Sequence, residues 1–260
     1  MIEIIGIPAL KDNYIWMLYD PKTEKAIVVD PGEADPVLKV LSDKNLALTT
    51  ILLTHHHSDH CGGVPRLLEH FKVPVYGSKR EDTPYCTHPV EEGDIIDLRT
   101  AGLGGSSKVL DIPGHTLGHI AYVTEKMLFC GDTLFTAGCG RLFEGTAEMM
   151  YHSLSKLKSL PVDTKIYCGH EYTLANLRFA LSLEPNNEDI VKRFSKSTHQ
   201  REKGESTVPS TLDLELKTNP FLRTHVSEVI FEAERISGQK LLKNIDIFRI
   251  IRKMKDEFRG

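Results

Sequence analysis

Cysteine is sparse and unpatterned. The five residues Cys61, Cys86, Cys130, Cys139 and Cys168 are odd in number and contain no CxxC pair. That excludes a disulfide-built scaffold, a zinc knuckle and a dithiol redox motif, and it points to a reducing cytoplasm. Long hydrophobic runs are missing too: no apolar stretch approaches the roughly 18 residues of a spanning helix. The first twenty residues interrupt their apolar stretches with Glu3, Lys11, Asp12 and Asp20, so no export signal is expected. Nor is there a surplus of basic charge. Lys and Arg number 32 against 36 Asp and Glu, a formal net charge of -4, which argues against nucleic acid or an anionic membrane as the main partner. Any anion site must therefore be locally basic. What is present is ordinary for a folded protein: 260 residues, 40% hydrophobic and 26% charged. The length exceeds the usual single-domain mode of about 100–150 residues, so a large domain, alone or with an appendage, is expected.

From Ile2 to Val29, short apolar or alternating runs are broken by turn residues at Asp12-Asn13 and Asp20-Pro21, the pattern of consecutive antiparallel strands. A helix follows through Val37, Leu38 and Leu41, then a strand over Leu48–Leu53, then a second helix through Leu67 and Leu68. Short strands punctuated by Gly and Pro recur at Val73–Val75, Ile95–Leu98, Val109–Ile112, Ile120–Val123 and Met127–Cys130. Beyond Ile166–Gly169 the strand pattern stops, and Leu174–Leu183, Ile190–Phe194, Val226–Ala233 and Ile245–Phe258 read as helices. A mixed sheet stack with outer helices is predicted, with a boundary near His170 and an α-helical part after it.

The chemistry concentrates in Thr54-His55-His56-His57-Ser58-Asp59-His60, directly after the apolar run Ile51-Leu52-Leu53. In extended chain, alternate side chains share a face, so His55 and His57 point one way and His56 the other. Asp59 and His60 then fall at the turn into the next helix. Imidazole and carboxylate donors gathered at a strand end suit zinc, iron or manganese. A solvated histidine loop is the alternative for this segment alone. Three further segments share its grammar, each an apolar run closed by glycine and then a donor: Gly114-His115, Gly131-Asp132 and Gly169-His170.

The ordered pattern His55-x-His57-x-Asp59-His60, His115, Asp132, His170 resembles the metallo-β-lactamase superfamily. Within it, Gly131–Phe135, Ala137–Thr146, Cys168–Thr173, Asn176-Leu177 and Thr218-Asn219-Pro220-Phe221 are similar to the hydroxyacylglutathione hydrolase (glyoxalase II) family. The likeness spans nearly the whole chain. It implies an α+β fold, an αββα sandwich over residues 1–170, with a smaller α-helical, glutathione-binding domain over 171–260. It also implies two divalent metal ions per chain, zinc first with iron or manganese as alternatives. His55, His57 and His115 would hold one, Asp59, His60 and His170 the other, and Asp132 would bridge. Asp59 and Asp132 would thus be the catalytic carboxylates, and Asp30, closing the run Ala26–Val29, would orient a ligand histidine, a role that weighs equally with a turn cap before Pro31. The implied reaction is hydrolysis of S-(2-hydroxyacyl)glutathione thioesters by a hydroxide between the ions, and no side-chain nucleophile is required.

The implied substrate is anionic, and the C-terminal helix offers a basic patch. Ile247, Ile251, Met254 and Phe258 form an apolar stripe that leaves Arg252, Lys255 and Arg259 on another side. By resemblance Arg252 and Lys255 contact the glutathione carboxylate, helped by Arg141, Tyr172 and Asn176. Some members of the family carry lysine and tyrosine where this chain has Arg141 and Phe143, so a hydroxyl contact is missing here. His119 is expected to be structural, His56 to face away, and the cysteines next to the motifs to pack. The expected partner is the small thioester alone, without nucleic acid or membrane, acting on a cytoplasmic monomer. A persulfide dioxygenase of the same superfamily would use one iron and fewer of these ligands, and a nuclease of the fold would be expected to carry a basic arm. A catalytically silent binding module would be expected to have lost ligands.

Overall fold

A computed structural model describes residues 2–259. The chain divides into two compact units, one of residues 1–111 with 117–131, the other of 112–116 with 132–260.

The first unit is built on a six-stranded sheet in chain order: Glu3–Ala9, Asn13–Asp20, Lys25–Val29, Ala47–Leu52, Val75–Ser78 and His88–Val90. The first three strands are antiparallel, as the turn residues predict, with Ile5 opposite Met17 and Trp16 opposite Val29. The next three are parallel: helices Asp35–Asp43 and Val64–His70 make the first two crossovers, and an irregular segment makes the third. Ile15, Met17, Val28 and Ile51 pack with Val37, Leu41, Val64 and Leu67 of those helices. Their neighbours Trp16, Leu18, Ile27 and Leu52, which point to the opposite face, are equally buried. Both faces are therefore covered, and each such large side chain contributes about 1.5–3 kcal/mol by leaving water. A second set of antiparallel strands, Ile95–Asp97, Ser106–Asp111, Ile120–Thr124 and Met127–Gly131, belongs to the same unit. The Tyr122 hydroxyl from this set donates to the Leu53 carbonyl of the first sheet (2.9 Å). This is the sandwich core that the alternating runs predict.

The second unit is mainly helical: Ala147–Lys158, Thr173–Leu183, Glu188–Glu202, Leu212–Thr218, Ser227–Ser237 and Asn244–Glu257. Thr146, Asn187 and Thr211 cap three of these helices with side-chain oxygens that accept from backbone N–H groups. One feature departs from the sequence reading. The strand pattern does not stop after Gly169, because Ser210–Thr211 pairs antiparallel with Lys165–Cys168. Two residues are too few to show a periodicity. Helix Ala147–Lys158 packs on the C-terminal helix, with the Tyr151 and Phe248 rings 5.9 Å apart, so the second compact unit takes in residues on both sides of His170. Among the described residues no helix is long and apolar enough to cross a membrane.

Candidate active site

In the first unit, strand Ala47–Leu52 ends in buried Leu53 and Thr54 and releases the histidine segment, which turns into the short helix Ser58–Cys61. The His55 ring lies 4.7 Å from that of His57 and 4.2 Å from that of His60. His55 and His60 are fully buried. Asp30 accepts from the Thr54 N–H (2.8 Å) and the Thr54 hydroxyl (2.7 Å), and its carboxylate meets His60 Nδ1 at 3.0 Å. Of the two readings left open for Asp30, histidine orientation is the one this geometry supports. With its proton on Nδ1 toward Asp30, His60 turns the lone pair of Nε2 outward, the arrangement a metal-binding imidazole needs. Asp30, His55 and His60 offer donor atoms that all lie within 4.8 Å of one another.

Asp59 is held from an unexpected quarter: buried Asn13 donates from Nδ2 to Asp59 Oδ2 (3.0 Å). His119 stacks on His55, with centroids 4.5 Å apart and planes at 18°, the structural role expected of it. The glycine before Asp132 is required. Gly131 has φ +46, and a Cβ there would come within 2.3 Å of Thr54 Oγ1 and 2.9 Å of the His119 ring. His56 Nδ1 lies 3.2 Å from Glu81 Oε1, and its ring is 5.0 Å from that of His57.

In the second unit, Asp132 Oδ2 lies 3.5 Å from His115 Nε2 and 3.2 Å from His170 Nε2. All three residues are buried. His115 Nδ1 is 2.9 Å from the Arg141 carbonyl, which fixes the ring with Nε2 toward the carboxylate. His170 lies flat against Tyr172, centroids 4.7 Å apart, and Phe135 sits edge-on to both rings. Buried imidazoles and carboxylates converging in this way form a nitrogen and oxygen donor set, and such crowding is offset best by a cation. The residues therefore fit divalent metal ions. The structure thus brings His55, His57 and His60 together in the first unit, with Asp59 beside His60, and His115, Asp132 and His170 together in the second.

The second unit also holds a cavity of about 410 Å³ whose lining includes His115, Asp132, Phe135, Tyr172 and Asn176 with three cations, Arg141, Arg252 and Lys255. Asn176 donates to the Thr136 carbonyl (3.1 Å). Arg252 is buried rather than presented on the helix surface. One of its terminal nitrogens donates to the Cys139 carbonyl (2.8 Å) and the other to Asp256 (3.0 Å), while Nε has no partner. Lys255 donates to the Ala175 carbonyl (2.9 Å), and its ammonium lies 5.5 Å from the ring centres of both Phe179 and Phe258. Burial, with the like charges of Arg252 and Arg141 nearby, brings its pKa down to about 8. Phe143 is exposed, edge-on to His115, and brings no polar group. Burial pushes the Cys139 thiol up and that of Cys168 to about 12, so both stay protonated and serve packing, as expected of them.

Residues 13–170 match the family model described as "Metallo-beta-lactamase superfamily", and residues 171–258 match "Hydroxyacylglutathione hydrolase C-terminus". A hydroxyacylglutathione hydrolase of Alkalilimnicola ehrlichii is 51% identical over 99% of this chain and 100% of its own length. One of Aliivibrio fischeri is 48% identical over the same shares. Among solved structures, ETHE1 from Myxococcus xanthus shares the fold with a TM-score of 0.67 at 23% identity, covering 98% of this chain and 91% of its own.

Proposed function

The chain belongs to the metallo-β-lactamase superfamily and, within it, to the hydroxyacylglutathione hydrolases, and from that membership we propose the following reaction and division of labour. The protein is a thioester hydrolase that converts S-(2-hydroxyacyl)glutathione, S-D-lactoylglutathione foremost, to glutathione and a 2-hydroxy acid, D-lactate, the second step of methylglyoxal detoxification. The observation that carries this reading is one cavity lined by His115 and Asp132 together with three cationic side chains. It suits a ligand that is hydrolysed at one point and carries negative charge at another.

His55, His57 and His115 would hold one divalent ion, Asp59, His60 and His170 a second, with Asp132 shared between them. When bound, such a pair supplies a water acidified into the neutral range and a Lewis acid for the carbonyl oxygen. The chain's own residues do the rest. Asp30 keeps the His60 proton on Nδ1, and the Arg141 carbonyl does the same for His115. Phe135 and Tyr172 shield His170 from bulk water. Lys255 and Arg141 supply positive charge for the glutathione carboxylates, Tyr172 a flat ring, and Asn176 an amide. Arg252 has its terminal nitrogens engaged within the fold and its Nε buried, so it acts on the substrate through its field. Phe143 leaves that corner to charge and backbone. Zinc is the first choice of metal, with iron or manganese accepted by the same donors. Residues 1–170 carry the metal chemistry and Arg141, and 171–260 the remaining glutathione contacts, in a cytoplasmic monomer with no disulfide among the described residues.

Lys255 gives a test specific to glutathione recognition. Lys255→Ala is expected to raise KM for S-D-lactoylglutathione by about tenfold at pH 7, the range of one charge-assisted hydrogen bond, with kcat little changed. The ammonium is fully protonated well below its pKa of about 8 and is lost as pH rises through it. KM should therefore be flat under acidic and neutral conditions and climb above pH 8, and Lys255→Arg should flatten the climb. Steady-state kinetics across pH checks this. A fall in kcat with KM unchanged contradicts the assignment.

A further inference from the structure

Between strands Val75–Ser78 and His88–Val90 the chain has no regular structure, yet it sends one acid inward. The Glu81 side chain is only 6% exposed. Its Oε1 accepts from the His56 backbone N–H (2.8 Å) and lies 3.2 Å from His56 Nδ1. Its Oε2 accepts from the Gly118 backbone N–H (2.9 Å). One carboxylate thus fastens two segments that are far apart in sequence, His55–His60 and Leu117–His119. These are also the segments whose rings stack, His119 on His55.

The fit is close enough to constrain sequence. A Cβ on Gly118 would come within 2.8 Å of both Cβ and Cγ of Glu81. The acid is itself fixed: the Thr83 N–H donates to the Glu81 carbonyl (2.9 Å), and neighbouring Arg80 pairs with Asp111 (2.9 Å). Hydrogen bonds from backbone N–H to a carboxylate are roughly twice as strong as neutral ones, and here they flank the imidazoles on both sides.

We propose that Glu81 is a positioning residue that locks the His55–His60 segment in its metal-binding shape before an ion arrives. The inference rests on the metal-site reading above. Without the clamp, His55 and His57 would have to be ordered at the moment of binding, and affinity would fall by that cost.

The test is a zinc titration of the full chain, stripped of metal, against a chromophoric chelator, with thermal unfolding of the metal-free protein alongside. Glu81→Gln keeps the size but can accept at only one of the two N–H groups. It is expected to weaken zinc binding by about 10–100-fold, the range for partners that orient ligands, while the metal-free unfolding temperature stays near that of the native chain. Gly118→Ala, which pushes the carboxylate aside, is expected to weaken it comparably, and the double variant should be little worse than either single one. Native-like zinc affinity in Glu81→Gln, or losses that multiply in the double variant, would overturn the clamp. Should Glu81→Gln fail to fold, Gly118→Ala decides, and native-like affinity there overturns it. A native chain that takes up no zinc, iron or manganese would instead sink the metal-site reading along with the clamp.

Discussion

Replacing Asp132 with alanine is expected to lower kcat/KM for S-D-lactoylglutathione by about three orders of magnitude or more, roughly 4 kcal/mol of lost transition-state stabilisation. Bound metal should fall with it. The reason is position: a single carboxylate oxygen stands within 3.5 Å of His115 Nε2 and 3.2 Å of His170 Nε2, so no other side chain can take its place between those rings. Asp132→Asn tests the charge separately from the shape, since it keeps the size of the side chain and removes the negative charge. Both variants should fold, because Asp132 sits among polar donors rather than in an apolar cluster. His57→Ala should behave similarly through the first unit. Kinetics, elemental analysis and circular dichroism on the same samples decide the matter. Full activity with full metal content in Asp132→Ala would remove Asp132 from the site.

The largest effect on stability is expected from Arg193→Ala. Arg193 and Glu215 form a buried ion pair in the second unit, with the Glu215 side chain fully buried. Glu215 also accepts from Ser210 Oγ, from Asn219 Nδ2 (3.0 Å) and from the Ala137 N–H (2.8 Å). Asn219 in turn donates to the carbonyls of Phe135 (3.2 Å) and Gly138 (2.9 Å). This network pins the hairpin Leu134–Phe135/Gly138–Cys139, which places Phe135 against His170. Removing the guanidinium strands a buried carboxylate, at a cost of about 3–5 kcal/mol. At roughly 2–4 °C per kcal/mol for a large domain, the Tm should fall by on the order of 10 °C. Replacing both partners, Arg193→Met with Glu215→Gln, should cost less than the two single changes combined. Thermal unfolding by circular dichroism measures Arg193→Ala, the two single changes and the double variant. A single-variant Tm indistinguishable from native would show that the pair carries no such weight.

Much of the site was legible in the sequence because its donors close apolar runs. An apolar run that closes in His or Asp announces both the element and the chemistry, as at Leu53-Thr54-His55 and Gly131-Asp132. The residues that orient these donors were harder to see. Asn13 lies in a strand, Glu81 in an irregular segment and Glu215 in a short helix, and they act on partners 25 to 78 residues away. No local periodicity marks such a contact. Arg252 illustrates a second limit. Its helical phase places it beside the apolar stripe, but whether a guanidinium there faces water or the Cys139 carbonyl depends on what packs over it. The division of the chain into compact units was hidden for the same reason, since helix Ala147–Lys158 joins the C-terminal helices through ring contacts rather than through any sequence signal.

The most direct measurement is a metal titration of chelator-stripped protein, following bound ions per chain and S-D-lactoylglutathione hydrolysis together. The account predicts no hydrolysis without metal and full hydrolysis once two ions are bound per chain. Undiminished hydrolysis by the metal-free chain, or saturation of activity at an amount of metal that leaves His55, His57 and His60 unliganded, would contradict it.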